Sequence, residues 1–251
     1  MSCVDIRGCR IGEGRPKVIL PIVERAEAAI LEKAAQFSTL QADCVEWRVD
    51  YFEGARAPGA VARCLAKMRV ILRDKLLLVT FRTKAESGEQ ALSHPEYLAF
   101  LRLILDTDCA DLLDIEFFTA GADLPNLVEQ AHSAGVAVVC SSHDFTKTPP
   151  RAELVSRMVQ MQQAGADLPK LAVMPRCRTD VLELLAATAE MADLHPETPV
   201  ITMSMGTLGA VSRLAGETFG SAMTFANPGQ ASAPGQVSLN IVNEVLDALH
   251  L

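Results

Sequence analysis

The chain has 251 residues, 49% of them hydrophobic, 22% charged and 5% aromatic, with a formal net charge of −8. That length suits a single α/β barrel, usually about 250 residues, so one domain over 1–251 is expected. An acidic chain without a Lys/Arg-rich run speaks against nucleic-acid binding, no stretch nears the roughly 20 apolar residues of a membrane helix, and the charged start MSCVDIRGCRIGEG has no signal-peptide core.

Along the chain, Val4–Ile11 alternates and carries Gly8, which predicts a small hairpin closing the bottom of a barrel. Eight β-rich runs follow: Val18–Val23, Cys44–Val49, Leu76–Arg82, Leu112–Phe117, Val136–Ser141, Leu168–Met174, Val200–Met205 and Ala222–Ala226. Segments rich in Ala, Leu, Glu, Lys and Gln lie between them, at Glu24–Gln36, Ala60–Arg73, Pro95–Leu105, Leu124–Ser133, Pro150–Gln163, Thr179–Met191 and Leu208–Leu214, with Val237–Leu249 last. Strands recur at about the length of a βαβ unit, so the fold expected is a (β/α)8 TIM barrel. A doubly wound sheet is the alternative, but the Gly-x-Gly-x-x-Gly expected after its first strand is absent. Asn227–Gly235 is a loop rich in Pro, Gly, Ser and Ala; after the eighth strand it reads as a lid over the active-site face, or as a plain connector.

Seven cysteines are scattered, with no Cys-x-x-Cys spacing. Neither a disulfide framework nor a zinc site is expected, and free thiols point to the cytoplasm. There is no His-Glu-x-x-His and no acidic cluster at ligand spacing, so no metal is expected.

Charge inside strands that should be apolar marks the candidate chemistry. In the sixth strand, residues 168, 170, 172 and 174 share one face, and Lys170 on that face points into the barrel. An amine stripped of hydration there favours its neutral form, which attacks ketones to give imines; a salt-bridged structural lysine is the alternative. His143 follows the fifth strand, whose neighbour carries Lys170, and a histidine there suits proton transfer or simply caps the strand end. In the second strand Glu46, Arg48 and Asp50 share a face, with Trp47 and Val49 on the other. Such a row suits a polyhydroxylated ligand, or pairs with itself. Arg82 ends the third strand and can bind an anion or hydroxyl; Glu86 beyond it can orient a histidine; solvated charges are the alternative for both. After the seventh strand, Gly206 and Gly209 lead towards Arg213 in what reads as a helix start, fit for a phosphate or a carboxylate.

Several stretches together resemble the type I 3-dehydroquinate dehydratases. They are Glu46-Trp47-Arg48-Val49-Asp50, Thr80-Phe81-Arg82-Thr83 with Glu86-Ser87-Gly88-Glu89, Ser142-His143-Asp144-Phe145, Lys170 through Pro175, Met203 through Arg213, and Ala231-Ser232-Ala233-Pro234-Gly235-Gln236. The resemblance implies a homodimeric, cytoplasmic barrel lyase of the shikimate pathway and aromatic amino-acid biosynthesis. It implies dehydration of 3-dehydroquinate to 3-dehydroshikimate with no metal or cofactor. By the same match Lys170 forms the imine with the C3 ketone, His143 moves the proton and Glu86 partners it. Arg213 meets the substrate carboxylate; Glu46, Arg48 and Arg82 meet ring hydroxyls, with Trp47 in the same run. Ser232 and Gln236 belong to the lid, and Met203, Met205 and Phe225 form an apolar wall. One departure stands out: Pro21 occupies a position where the family often has a small hydroxyl residue, so a substrate contact is expected to be lost there. A class I Schiff-base aldolase and a non-catalytic binding barrel are the competing readings.

Overall fold

The apolar runs form parallel strands whose alternate residues feed two separate cores. The computed structural model describes residues 2–229 and 235–250. The hairpin strands β1 (Val4–Ile6) and β2 (Cys9–Ile11) come first. The barrel strands are β3 (Lys17–Ile22), β4 (Cys44–Arg48), β5 (Leu76–Thr80), β6 (Leu112–Glu116), β7 (Ala137–Asp144), β8 (Leu168–Val173), β9 (Ile201–Ser204) and β10 (Met223–Asn227). Strands β3 to β9 pair in chain order, all parallel, and β10 returns to pair with β3. A parallel bridge between Val200 and Ser221, with Ala222 N–H donating to the Val200 carbonyl at 2.8 Å, joins the remaining edges. The architecture is the expected (β/α)8 barrel.

Val45, Leu77, Val79, Leu113, Ile115, Val138, Leu171 and Val173 face outward into the layer under the helices. Their neighbours Ile19, Cys44, Leu76, Leu78, Leu112, Val139 and Leu168 face inward. The hairpin turns at Arg7 and Gly8, both with positive φ as a two-residue type I′ turn requires. Its Ile11 joins the inner core, with Val4, Ile6 and Cys9 against it. This is the predicted plug at the strands' N-terminal end, leaving the opposite face open for chemistry.

The helices run Glu27–Ser38, Ala60–Leu72, His94–Leu105, Leu124–Ser133, Arg151–Gln163 and Arg178–Leu194, with Leu239–Leu249 at the end. The third shows why its start was legible: Ser93 N–H and hydroxyl both donate to Glu96 at 2.7 Å, and Pro95 sits in the first turn.

Two expectations fail. The helix predicted over Leu208–Leu214 is a series of turns followed by the short pieces Val211–Leu214 and Gly216–Phe219. A Cβ on Gly209 would lie 2.2 Å from the Ser204 carbonyl oxygen, so the chain folds back there instead of entering a helix. The last helix begins at Leu239, not Val237. Val237–Ser238 forms β11, which pairs with Ala226–Asn227 at the barrel lip.

Candidate active site

The C-terminal ends of the strands enclose a cavity lined by Glu46, Arg48, Tyr51, Arg82, Glu86, Ser87, His143, Phe145, Lys170, Ala172, Met203, Met205, Arg213, Phe225 and Gln236. Lys170 faces inward from β8, only 3% exposed. It does not sit in an apolar hole: carboxylates flank it, as in the salt-bridged alternative. Its Nζ lies 3.3 Å from Asp114 Oδ2, 3.8 Å from Glu46 Oε1 and 4.7 Å from the centre of the Phe225 ring.

His143 lies within β7 rather than after it, because that strand continues to Asp144. Its partner in register is Ala172, two residues beyond Lys170 on the neighbouring strand, so both side chains enter the same cavity. His143 Nδ1 is 2.7 Å from Glu86 Oε2, and the same oxygen accepts the His143 backbone N–H at 3.1 Å. Burial, then the positive charges of Arg82, Lys170 and Arg48, push the imidazole well below its ordinary value, favouring the neutral ring. Burial also drives Glu86 up, to about 8; Arg82 opposes the rise, and Glu116 and Asp114 add to it.

A tight turn places Glu86. Gly88 N–H donates to the Thr83 carbonyl at 2.8 Å, and a Cβ on Gly88 would lie 1.9 Å from the Arg82 carbonyl oxygen. Only glycine lets this loop fold flat on the end of β5, and that fold carries Glu86 back over the barrel mouth.

Arg82 borders the cavity, yet most of its fork is spent on protein. Nη1 donates to Glu116 and to Ser141 Oγ, both at 3.0 Å, and to Glu86 at 3.4 Å; Nη2 donates to Asp114 at 2.8 Å. Burial alone would lower this guanidinium, but Asp114, Glu116 and Glu86 raise it, so it is a permanent cation. Arg48 forms a two-pronged pair with Asp50, 2.8 Å at both contacts, and lies over the Tyr51 ring. Asp50 has left the strand for the turn Val49–Tyr51, where it also accepts the Arg82 and Glu89 backbone N–H groups. Glu46 accepts the Thr80 hydroxyl at 2.9 Å.

Arg213 reaches the cavity from the segment after β9, 2% exposed, with its guanidinium lowered by burial to about 10. The expected helix N-terminus beside it is absent: the Gly209, Ala210 and Ser212 N–H groups are used within successive turns. The charged group offered to an anion in this part of the cavity is the Arg213 side chain.

The cavity brings together every predicted site residue except three. Trp47 points the other way. Alternation sends it into the layer under the helices beside Phe52, with ring centres 5.7 Å apart. Pro21 is level with Glu46 in register but borders a neighbouring cavity with Lys33, Phe37 and Pro228. Ser232 lies outside the described residues. Gln236 is present, anchored by the return of the chain: Gly235 has φ +75° and fits so close to Gly206 that a Cβ would be 2.1 Å from its carbonyl oxygen. Sequence reasoning missed Tyr51, Ser87, Phe145 and Ala172 in the lining, and Asp114, Glu116 and Ser141 behind it. No group of His, Cys, Asp and Glu able to hold a metal occurs among the described residues.

An inward lysine beside a carboxylate-paired histidine, with arginines in the same cavity, at the C-terminal mouth of a (β/α)8 barrel fits the class of lysine-dependent barrel lyases. The type I 3-dehydroquinase model matches residues 18–251, and the chain belongs to that family. Its activity is accordingly dehydration of 3-dehydroquinate to 3-dehydroshikimate, a shikimate-pathway step that runs through a lysine Schiff base. The 3-dehydroquinate dehydratases of Bacillus licheniformis and Bacillus subtilis are 47% and 46% identical to it, covering 98% and 100% of this chain and 97% and 98% of theirs. A crystal structure of the type I enzyme from Clostridium difficile, carrying covalently modified comenic acid, superposes with a TM-score of 0.96 at 43% identity, over 99% of this chain and 98% of that one. The aldolase and binding-module readings give way to this assignment.

Proposed function

We propose that Lys170 is the imine-forming residue of this dehydratase, with His143 as its proton-transfer group and Glu86 as the orienter of that histidine. The observation that carries the assignment is the shared cavity: Lys170 and His143, paired with Glu86, enter it from adjacent strands, and Arg213 lines it too. Lys170 Nζ attacks the C3 ketone and water leaves. The protonated imine then draws electrons from C2, and His143 Nε2 takes the C2 proton. The enamine expels the C1 hydroxyl, which leaves as water with a proton from His143, and hydrolysis frees the conjugated ketone. Arg213 holds the C1 carboxylate. Glu46 and Arg48 meet the ring hydroxyls, Arg82 contributes at their edge, and Met203, Met205 and Phe225 exclude water. Gln236 and Ser232 act with the loop between β10 and β11. Neither metal nor cofactor takes part.

The whole chain acts as one catalytic domain, a cytoplasmic homodimer in aromatic amino-acid biosynthesis. Seven unpaired cysteines, at least one of them exposed, suit a reducing compartment, and the family resemblance supports the dimer, which sedimentation would check. The deciding experiment is incubation with 3-dehydroquinate while conjugated-enone absorbance is followed, then borohydride reduction and peptide mass mapping. An enone signal and an adduct mass on Lys170 are expected. Absence of the adduct would overturn the role given to Lys170.

A further inference from the structure

Behind Lys170, outside the cavity lining, lies a fully buried carboxylate that the reaction as written leaves without a task. Asp114 Oδ2 is 3.3 Å from Lys170 Nζ. Its other oxygen accepts Arg82 Nη2 at 2.8 Å and Ser141 Oγ at 2.7 Å. The charged, polar and aromatic groups around Lys170 come from several strands: Glu46 on β4, Asp114 on β6, Ser141 and His143 on β7 and the Phe225 ring on β10, with Arg82, following β5, bound to Asp114. Of the two carboxylates beside Nζ, Glu46 lines the cavity, 3.8 Å from Nζ, and the same oxygen accepts the Thr80 hydroxyl. Asp114 does not line it; it is the nearer of the two to Nζ, and Arg82 and Ser141 fix its other oxygen.

We propose that Asp114 is the counter-ion of the protonated imine and so a further catalytic group of this enzyme. The inference rests on the imine at Lys170. Counted from the ammonium form, lysine and ketone become a protonated imine and one water: one hydrogen leaves Nζ for His143 to free the attacking lone pair, it and a second amine hydrogen depart on the oxygen, the C–N double bond replaces the C–O double bond, and the charge stays +1. One fixed anion therefore serves the resting lysine and the intermediate alike, with no reorganisation between them. Burial would push Asp114 up, but Arg82, Lys170 and the Ser141 hydroxyl outweigh it and hold the carboxylate below its usual value. It therefore stays ionised and does not take the imine proton, without which the imine is a poor electron sink.

When the C2 proton moves, the positive charge passes from the imine nitrogen to His143. That second post has its own carboxylate, Glu86, and Arg82 contacts both Asp114 and Glu86. The charge thus travels between two anions tied to one guanidinium.

The test compares Asp114→Asn with Glu46→Gln in kcat against pH, with borohydride trapping on wild type and both variants. Asp114→Asn should lower kcat about 100-fold and move the basic limb of the kcat profile down by about one pH unit or more, because the imine loses its proton more easily. Asp114→Glu should restore part of that limb. Glu46→Gln should raise KM and leave the limb in place. An Asp114→Asn limb at the wild-type position overturns the proposal, since a merely structural loss lowers kcat without moving it. Should Asp114→Asn fail to fold, Glu46→Gln decides: a limb displaced by a full unit makes Glu46 the counter-ion and overturns the proposal, and an unmoved limb supports Asp114. Failure to trap any adduct on wild-type Lys170 would instead sink the imine reading beneath it.

Discussion

Lys170 and His143 stand on neighbouring strands, two residues apart in register, yet their surroundings differ in kind. Lys170 is held by two carboxylates and an aromatic face. His143 has one carboxylate, Glu86, itself driven up to about 8 by burial, with Arg82 pulling it back. One post is arranged to keep a charge constant, the other to let a proton come and go. Arg82 supports both, and placing it at the centre makes it more a strut than a ligand of substrate.

The widest break between the two posts comes from His143→Ala. The imine should still form, giving the borohydride adduct on Lys170, while kcat falls about 1000-fold, within the usual reach of a general acid–base group. A near-normal kcat would show that the proton leaves by another route.

Next in size is Glu86→Gln, read against pH. The working base is neutral His143 with its hydrogen on Nδ1, donated to an ionised Glu86, so that Nε2 keeps its lone pair. When Glu86 is protonated it donates to Nδ1 instead, and the ring hydrogen sits on the wrong nitrogen. Activity should therefore be lost as pH falls through the Glu86 value: the acid limb of kcat/KM lies well above the ordinary carboxylate range, towards about 8. Glu86→Gln should cost about tenfold to 100-fold in kcat and remove that limb. A wild-type limb near that of an exposed glutamate would contradict the pairing.

Gly88→Ala probes the backbone turn that places Glu86 for the His143 post. Its Cβ would meet the Arg82 carbonyl at 1.9 Å, so the turn carrying Glu86 must shift. A stability loss of about 2 kcal/mol in urea unfolding is expected, together with a lower kcat and unchanged adduct formation at Lys170. An unaltered unfolding midpoint would mean that the turn has room to give.

Most of this was legible, because barrel strands announce their inward faces by alternation. The rule that drew attention to Glu46 and Arg48 applies equally to Leu112–Phe117, where Asp114 and Glu116 alternate with Leu113 and Ile115; reading that run as plain core hid the lysine's counter-charge. The partners themselves lie far away in sequence: Asp114 is 56 residues from Lys170, and Glu86 is 57 from His143. Composition cannot show such pairings; the barrel closure makes them. The turns after Ser204 were misread for a local reason, since a helical composition over Leu208–Leu214 says nothing of the close approach of Gly209 to Ser204. Trp47 was carried along with its charged neighbours although the same alternation sends it outward.

Pro21→Ser gives the smallest effect and addresses neither post. Pro21 faces inward on β3, level with Glu46, and has no N–H or hydroxyl to offer a ring hydroxyl. Its ring borders the adjoining cavity, which shares Tyr51 with the main one. A serine hydroxyl there adds one neutral hydrogen bond in a partly wet site, of about 0.5–1.5 kcal/mol. KM should fall a few-fold, with kcat and the positions of both pH limbs unchanged, because Pro21 is outside the set of residues lining the cavity around Lys170 and His143. An unchanged KM would place the substrate beyond reach of β3. A changed kcat would mean that the two posts extend further around the barrel than Asp114, Arg82 and Glu86.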